Sequence, residues 1–148
     1  MSDFDVYHLL TRTDVIATCH RLHYLQMAAE KACKAYLYSL QRGPAKYLYD
    51  HEVVEKVVSL QLRQPQYRAY AGALRRVIRT HAYQIDRLAP AVDRIARPDN
   101  CEYPWITPDG WVLVPSEYPF PQLDDQDRRF FATLKLLREL ARSMAHSL

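Results

Sequence analysis

Met27-Ala28-Ala29-Glu30-Lys31-Ala32-Cys33-Lys34-Ala35-Tyr36-Leu37 lies inside a run from Asp14 to Gln41 that holds neither Gly nor Pro and is closed by Gly43-Pro44. Such a run, rich in Ala and Leu, is expected to be a helix. Val15, Cys19, Leu22, Leu25, Ala29, Cys33, Tyr36 and Leu40 recur in steps of three and four and make one apolar stripe. His20, His23, Glu30, Lys31, Lys34 and Gln41 form a polar strip, with Glu30 and Lys34 spaced for an i,i+4 pair. Small Ala side chains beside that strip let another helix approach and leave the two lysines at a solvent edge.

Upstream, residues 1–13 are short and mixed, and read as a loose or partly docked arm. Downstream, Asp50 is the expected N-cap of a second helix carrying Val53, Val54, Val57, Val58 and Leu62, which must end near Pro65. A third helix is expected from Tyr67 to Arg97, its stripe running through Leu74, Ile78, His81, Ile85 and Leu88, with Pro90 kinking or splitting it. Arg75, Arg76, Arg79 and Arg87 populate its remaining surface.

Residues 98–123 have another character, holding six of the nine prolines and both tryptophans. Thr107-Pro108-Asp109-Gly110 is a strong turn signal between Tyr103–Ile106 and Trp111–Val114, and predicts a small hairpin. Burying Trp105 and Trp111 on the bundle would offset the ordering of so long a loop, so both indoles are expected to be protected. A last helix is expected from Asp124 or Asp125, with Phe130, Leu134, Leu137, Ala141 and Met144 as its seam. The sum is one all-α domain, an antiparallel four-helix bundle with a Pro- and aromatic-rich, hairpin-like insertion before the last helix.

The chain of 148 residues is long enough for a single core, and 20 Lys and Arg against 17 Asp and Glu do not by themselves announce a nucleic-acid partner. Three cysteines without a framework spacing and no basic-then-apolar leader favour a reducing cytoplasm. No run reaches the ~20 apolar residues of a membrane helix. Eleven tyrosines supply more aromatic surface than one core requires, and predict a homodimer.

Ala28 to Leu40, AAEKACKAYLYSL, followed by a short loop and a helix opening at Asp50-His51, resembles the HEPN family, the nucleotide-binding domains of higher eukaryotes and prokaryotes. Cys101-Glu102-Tyr103-Pro104 stands where members of that family often carry Arg-Tyr-Pro, with Glu102 in place of the Arg. The resemblance implies a helical module that recognises a nucleotide, RNA or a partner protein, with Lys31, Lys34 and His51 as the ligand-binding side chains. It further implies a separate minimal nucleotidyltransferase as partner in a toxin–antitoxin-type pair. Alternatives are a structural dimerisation module and a metal-independent endoribonuclease. In the ribonuclease branch an Arg and a His with four to six residues between them cleave RNA, His moving a proton and Arg stabilising phosphate charge. Arg142 and His146 are one candidate pair, on one face of the last helix but more closely spaced than that motif. Arg76 and His81 satisfy the spacing, yet diverge by about 140° around a regular helix.

With only three glycines there is no Gly-rich phosphate cradle, and no cofactor is expected. Cys19 and His23 stand one helical turn apart, but Cys19 belongs to the apolar stripe and further ligands are missing, so no metal site is expected.

Overall fold

The computed structural model describes residues 2–13, 15–40, 51–67, 72–90 and 100–145. They are mainly helical: α1 (Asp3–Leu10), α2 (Thr18–Ser39), α3 (Val54–Gln61), α4 (Gly72–Arg87) and α5 (Phe130–Ala145), with strands β1 (Trp105–Ile106) and β2 (Val112–Leu113) between α4 and α5. No helix among the described residues is long and apolar enough to cross a membrane.

α2 is the central element and meets each of the other four helices. Leu22, Leu25, Ala29 and Cys33 are fully buried along its stripe, and the methyl-sized Ala28 and Ala32 are buried beside them, so neighbouring backbones come close. The stripe begins later than its spacing suggests. Val15 is 89% exposed and the helix starts at Thr18. Gln41 and the expected cap Asp50 lie outside the described residues.

The arm expected to be loose or partly docked forms a docked helix, α1. Ser2 Oγ accepts from the Asp5 amide at 3.2 Å and Asp5 Oδ2 accepts from the Ser2 amide at 2.8 Å, a reciprocal cap that satisfies two otherwise unpaired donors. Phe4 and Tyr7 then turn into the core against α2.

α3 has no side-chain cap of its own. Asp86, the penultimate residue of α4, supplies one from across the interface, accepting from the Val54 amide at 2.9 Å and the Glu55 amide at 2.8 Å. α4 is shorter than its apolar spacing predicts. It starts at Gly72, whose φ of +52° only glycine adopts cheaply, and ends at Arg87 ahead of Pro90; Tyr70 and residues 91–99 lie outside the described residues.

The hairpin forms as expected. Trp105 pairs with Leu113 and Ile106 with Val112; the Thr107 amide donates to Trp111 O at 2.8 Å, and Gly110, at φ +84°, closes the turn on Thr107 O at 2.9 Å. Trp105 (4% exposed) starts an aromatic ladder, edge-on to Tyr118 at 5.1 Å, which is edge-on to Phe120 at 5.0 Å. Trp111 contradicts the expectation that both indoles are covered, being 73% exposed where it follows the Thr107–Gly110 turn, outside the paired residues of β2. Iodide should therefore quench one tryptophan readily and leave the other nearly untouched. Equal quenching of both would contradict this packing.

α5 begins at Phe130, later than the acidic pair suggests. Asp124 accepts from the Gln126 amide and Asp127 from the Arg129 amide, so both serve turns ahead of the helix. Asp125 is drawn inward instead. It is 5% exposed, takes Arg21 Nε at 2.8 Å and Nη2 at 2.9 Å, and accepts from the Tyr7 hydroxyl at 3.1 Å, joining α1, α2 and the segment before α5.

Candidate functional site

The lysines singled out in the sequence are already matched with carboxylates. Lys31 Nζ sits 2.8 Å from Asp3 on α1, while Lys34 Nζ and His51 Nδ1 converge on Glu30, at 2.6 and 3.0 Å. Burial pushes the Glu30 carboxyl up, but hydrogen bonds from Lys34, His51 and Gln26 outweigh it and hold it below the usual range. Glu30 therefore stays ionised and neutralises its neighbours. The Lys34 side chain is only 16% exposed, so it is not the solvent-edge cation that the helix pattern suggested.

Of the other sequence candidates, Arg142 is exposed in the last turn of α5, and His146 lies outside the described residues. Arg76 and His81 line the same cleft. His81 is half-buried between α4 and α5, its Nδ1 3.0 Å from Thr133 Oγ1 and its ring edge-on to Phe130 at 5.0 Å. Burial, with a smaller contribution from Arg129, holds the imidazole below its usual pKa against the pull of Asp127, so the ring is neutral at pH 7.

Both residues border one cleft of about 320 Å³. They diverge around α4 yet line this one cleft, together with Pro121, Gln122, Asp124, Asp127 and Arg129 from the segment before α5. A second cleft of about 470 Å³ adjoins it, lined by Arg75, Arg76, Arg79 and Tyr83 with Glu55. Arg76 and Thr80 belong to both.

The charges around these clefts are unequally committed. Arg75 Nη2 donates to Leu62 O at 2.7 Å while its Nε is buried without a partner; Arg79 pairs with Glu55 at 3.1 Å; Arg129 is held by Asp127 at 2.6 Å. Arg76, exposed and common to both clefts, has no ion pair or hydrogen-bonded partner among the described residues. The larger cleft thus offers three guanidinium groups against one carboxylate.

A third, acidic cleft of about 230 Å³ lies over Asp86, bordered by Glu52, Glu55, Lys56, Tyr83 and Arg87. Burial pushes the Asp86 carboxyl up to about 7, partly opposed by the Glu55 and Val54 amides and reinforced by Glu52 and Glu55. Among the described residues no group of three His, Cys, Asp or Glu side chains is placed to hold a metal ion.

Gln122, Asp127 and Arg129 escaped the sequence reading. Only the acidic-then-basic run Asp127-Arg128-Arg129 ahead of the last helix hinted at them, and nothing local says that it faces α4. No family model, curated protein or solved structure matches the chain.

Proposed function

We propose that the protein is a HEPN-like binding module for a nucleotide or single-stranded RNA, and that its ligand's phosphate rests on the arginine face of α4. One observation carries this reading: Arg76 is an unpaired guanidinium shared by two clefts, the larger of which gathers two further arginines. Lys31, Lys34 and His51 take a structural part instead, since each faces a carboxylate. In this reading α2 to α5 form the antiparallel four-helix bundle of such modules, α1 is added to it, and the hairpin is the insertion before the last helix. The exposed Ile106, Trp111 and Val112 favour association as a homodimer. The setting is cytoplasmic, beside a separate minimal nucleotidyltransferase in a toxin–antitoxin-type pair, as the family resemblance implies.

Cleavage is the second reading, favoured by the neutral His81 standing on one cleft with Arg76. In that case His81 accepts the 2′-hydroxyl proton while Arg76 stabilises the phosphate. The test is a fluorescently labelled single-stranded RNA titrated with the protein in a metal chelator, followed by its anisotropy and its length. Intact RNA whose binding weakens as salt rises supports the binding module. Shortened RNA would replace that reading with the ribonuclease, and no binding would remove both.

A further inference from the structure

We infer that the two clefts divide one nucleotide unit between them, the phosphate lying on the arginine cleft and an unpaired base entering the cleft walled by Pro121 and Gln122. This rests on the reading of α4 as a phosphate-binding face and adds what that face reads. The clefts share Arg76 and Thr80 as common lining residues, so a ligand lying across these two side chains reaches both. Their charge differs sharply. In the smaller cleft Arg129 is taken by Asp127, Asp124 adds a second carboxylate, and His81 is neutral, so among the described residues Arg76 at the shared edge is its one unmatched cation. A phosphate belongs on the arginine side, whereas a neutral ring with polar edges suits the other.

The chemistry of the smaller cleft fits a base. Val77 and Pro121 offer apolar surface, and the amides of Gln84 and Gln122 provide both donors and acceptors. Gln122 Nε2 is buried and has no acceptor among the described residues. Such a donor is costly to leave unmade, and a base carbonyl or ring nitrogen would satisfy it once the Gln122 amide turns towards the cleft it lines. The wall that carries it is fixed from behind. Phe120 holds a left-handed φ of +49°, uncommon for an aromatic residue, and is locked there by 1% exposure and the ladder through Tyr118 to Trp105. At about 320 Å³ the cleft lies at the small end of ligand clefts, the scale of one ring system with its sugar and far too narrow for a duplex.

Two labelled strands separate base from phosphate: a short single-stranded RNA of mixed sequence and a ribose-phosphate strand of equal length without bases. The RNA should bind about tenfold more tightly, as expected for one inserted base. Gln122→Leu should reduce RNA binding about fivefold and leave the abasic strand unaffected. Thermal melting of the variant checks its fold, and Gln84→Leu is the second variant should Gln122→Leu not fold. A nucleoside monophosphate should also displace the RNA at lower concentration than ribose phosphate does. If it competes as well as the strand per phosphate, the free nucleotide is the source; if the strand is far tighter, RNA is. Equal affinity for both strands, each still dependent on Arg76, would overturn the base cleft and leave the phosphate face standing. Absence of binding to either would overturn both.

Discussion

Replacing Asp125 with alanine is expected to lower the stability of the folded chain by about 3 kcal/mol, because it strips a buried ion pair of one partner. The carboxylate is nearly inaccessible and serves three donors, two from Arg21 and one from Tyr7. Arg21 is 20% exposed and recovers part of its hydration, but the Tyr7 hydroxyl, on a side chain 1% exposed, is left without an acceptor. Burial first, and the nearby Asp125 charge second, push the Tyr7 phenol well above its usual range, so it stays a donor at every accessible pH. Urea unfolding of the wild type and of Asp125→Ala checks the figure. A loss below about 1 kcal/mol would mean that the network is no better than a surface pair.

The second large effect concerns Asp86 and pH. Its carboxyl has an ordinary value of 3.8 and a folded value of about 7, so between these the folded chain holds a proton that the unfolded chain has released. Stability contributed through this group is therefore greatest below the lower value and falls as pH rises towards the upper one. Asp86→Asn keeps the shape and cannot ionise. Relative to that variant the wild type should lose up to about 4 kcal/mol between about pH 4 and pH 8. Taking the difference removes His8 and His81, whose burial depresses their values and acts in the opposite sense, costing stability as pH falls below about 6.5. A difference that stays flat, or rises with pH, would show that the Val54 and Glu55 amides hold the ionised carboxylate more strongly than burial opposes it.

Much of this architecture is local, and what is local was legible. The unbroken spacing from Cys19 to Tyr36 identifies α2, and Thr107-Pro108-Asp109-Gly110 identifies the hairpin, since a turn is decided by its own residues. α1 was equally local and was overlooked, although Ser2 and Asp5 already had the spacing of a reciprocal cap. The misplaced start of α5 has another cause. Asp125 looks like a cap in sequence, but Arg21, distant along the chain, claims its carboxylate. Asp86 is the converse, a residue in the interior of one helical pattern that caps a different helix. At Lys34 the i,i+4 pair with Glu30 was legible, but its burial was not, nor that His51 joins the same carboxylate from elsewhere. At the candidate site the Arg76–His81 spacing was readable, yet a regular helix argued that the two face apart. Only the wall from Pro121 to Arg129, contributed by a distant segment, makes them neighbours of one cleft.

The account turns on Arg76 as the contact to phosphate, and the most direct measurement compares how the wild type, Arg76→Ala and the double variant Lys31→Ala, Lys34→Ala bind one labelled single-stranded RNA over a range of salt. Arg76 is exposed and has no partner among the described residues, so its removal should leave the melting temperature in place. Affinity should fall about tenfold in Arg76→Ala, with the salt dependence reduced by about one counterion, while the double lysine variant binds as the wild type does. Unchanged binding by Arg76→Ala, with the loss found in the lysine variant instead, would contradict the account.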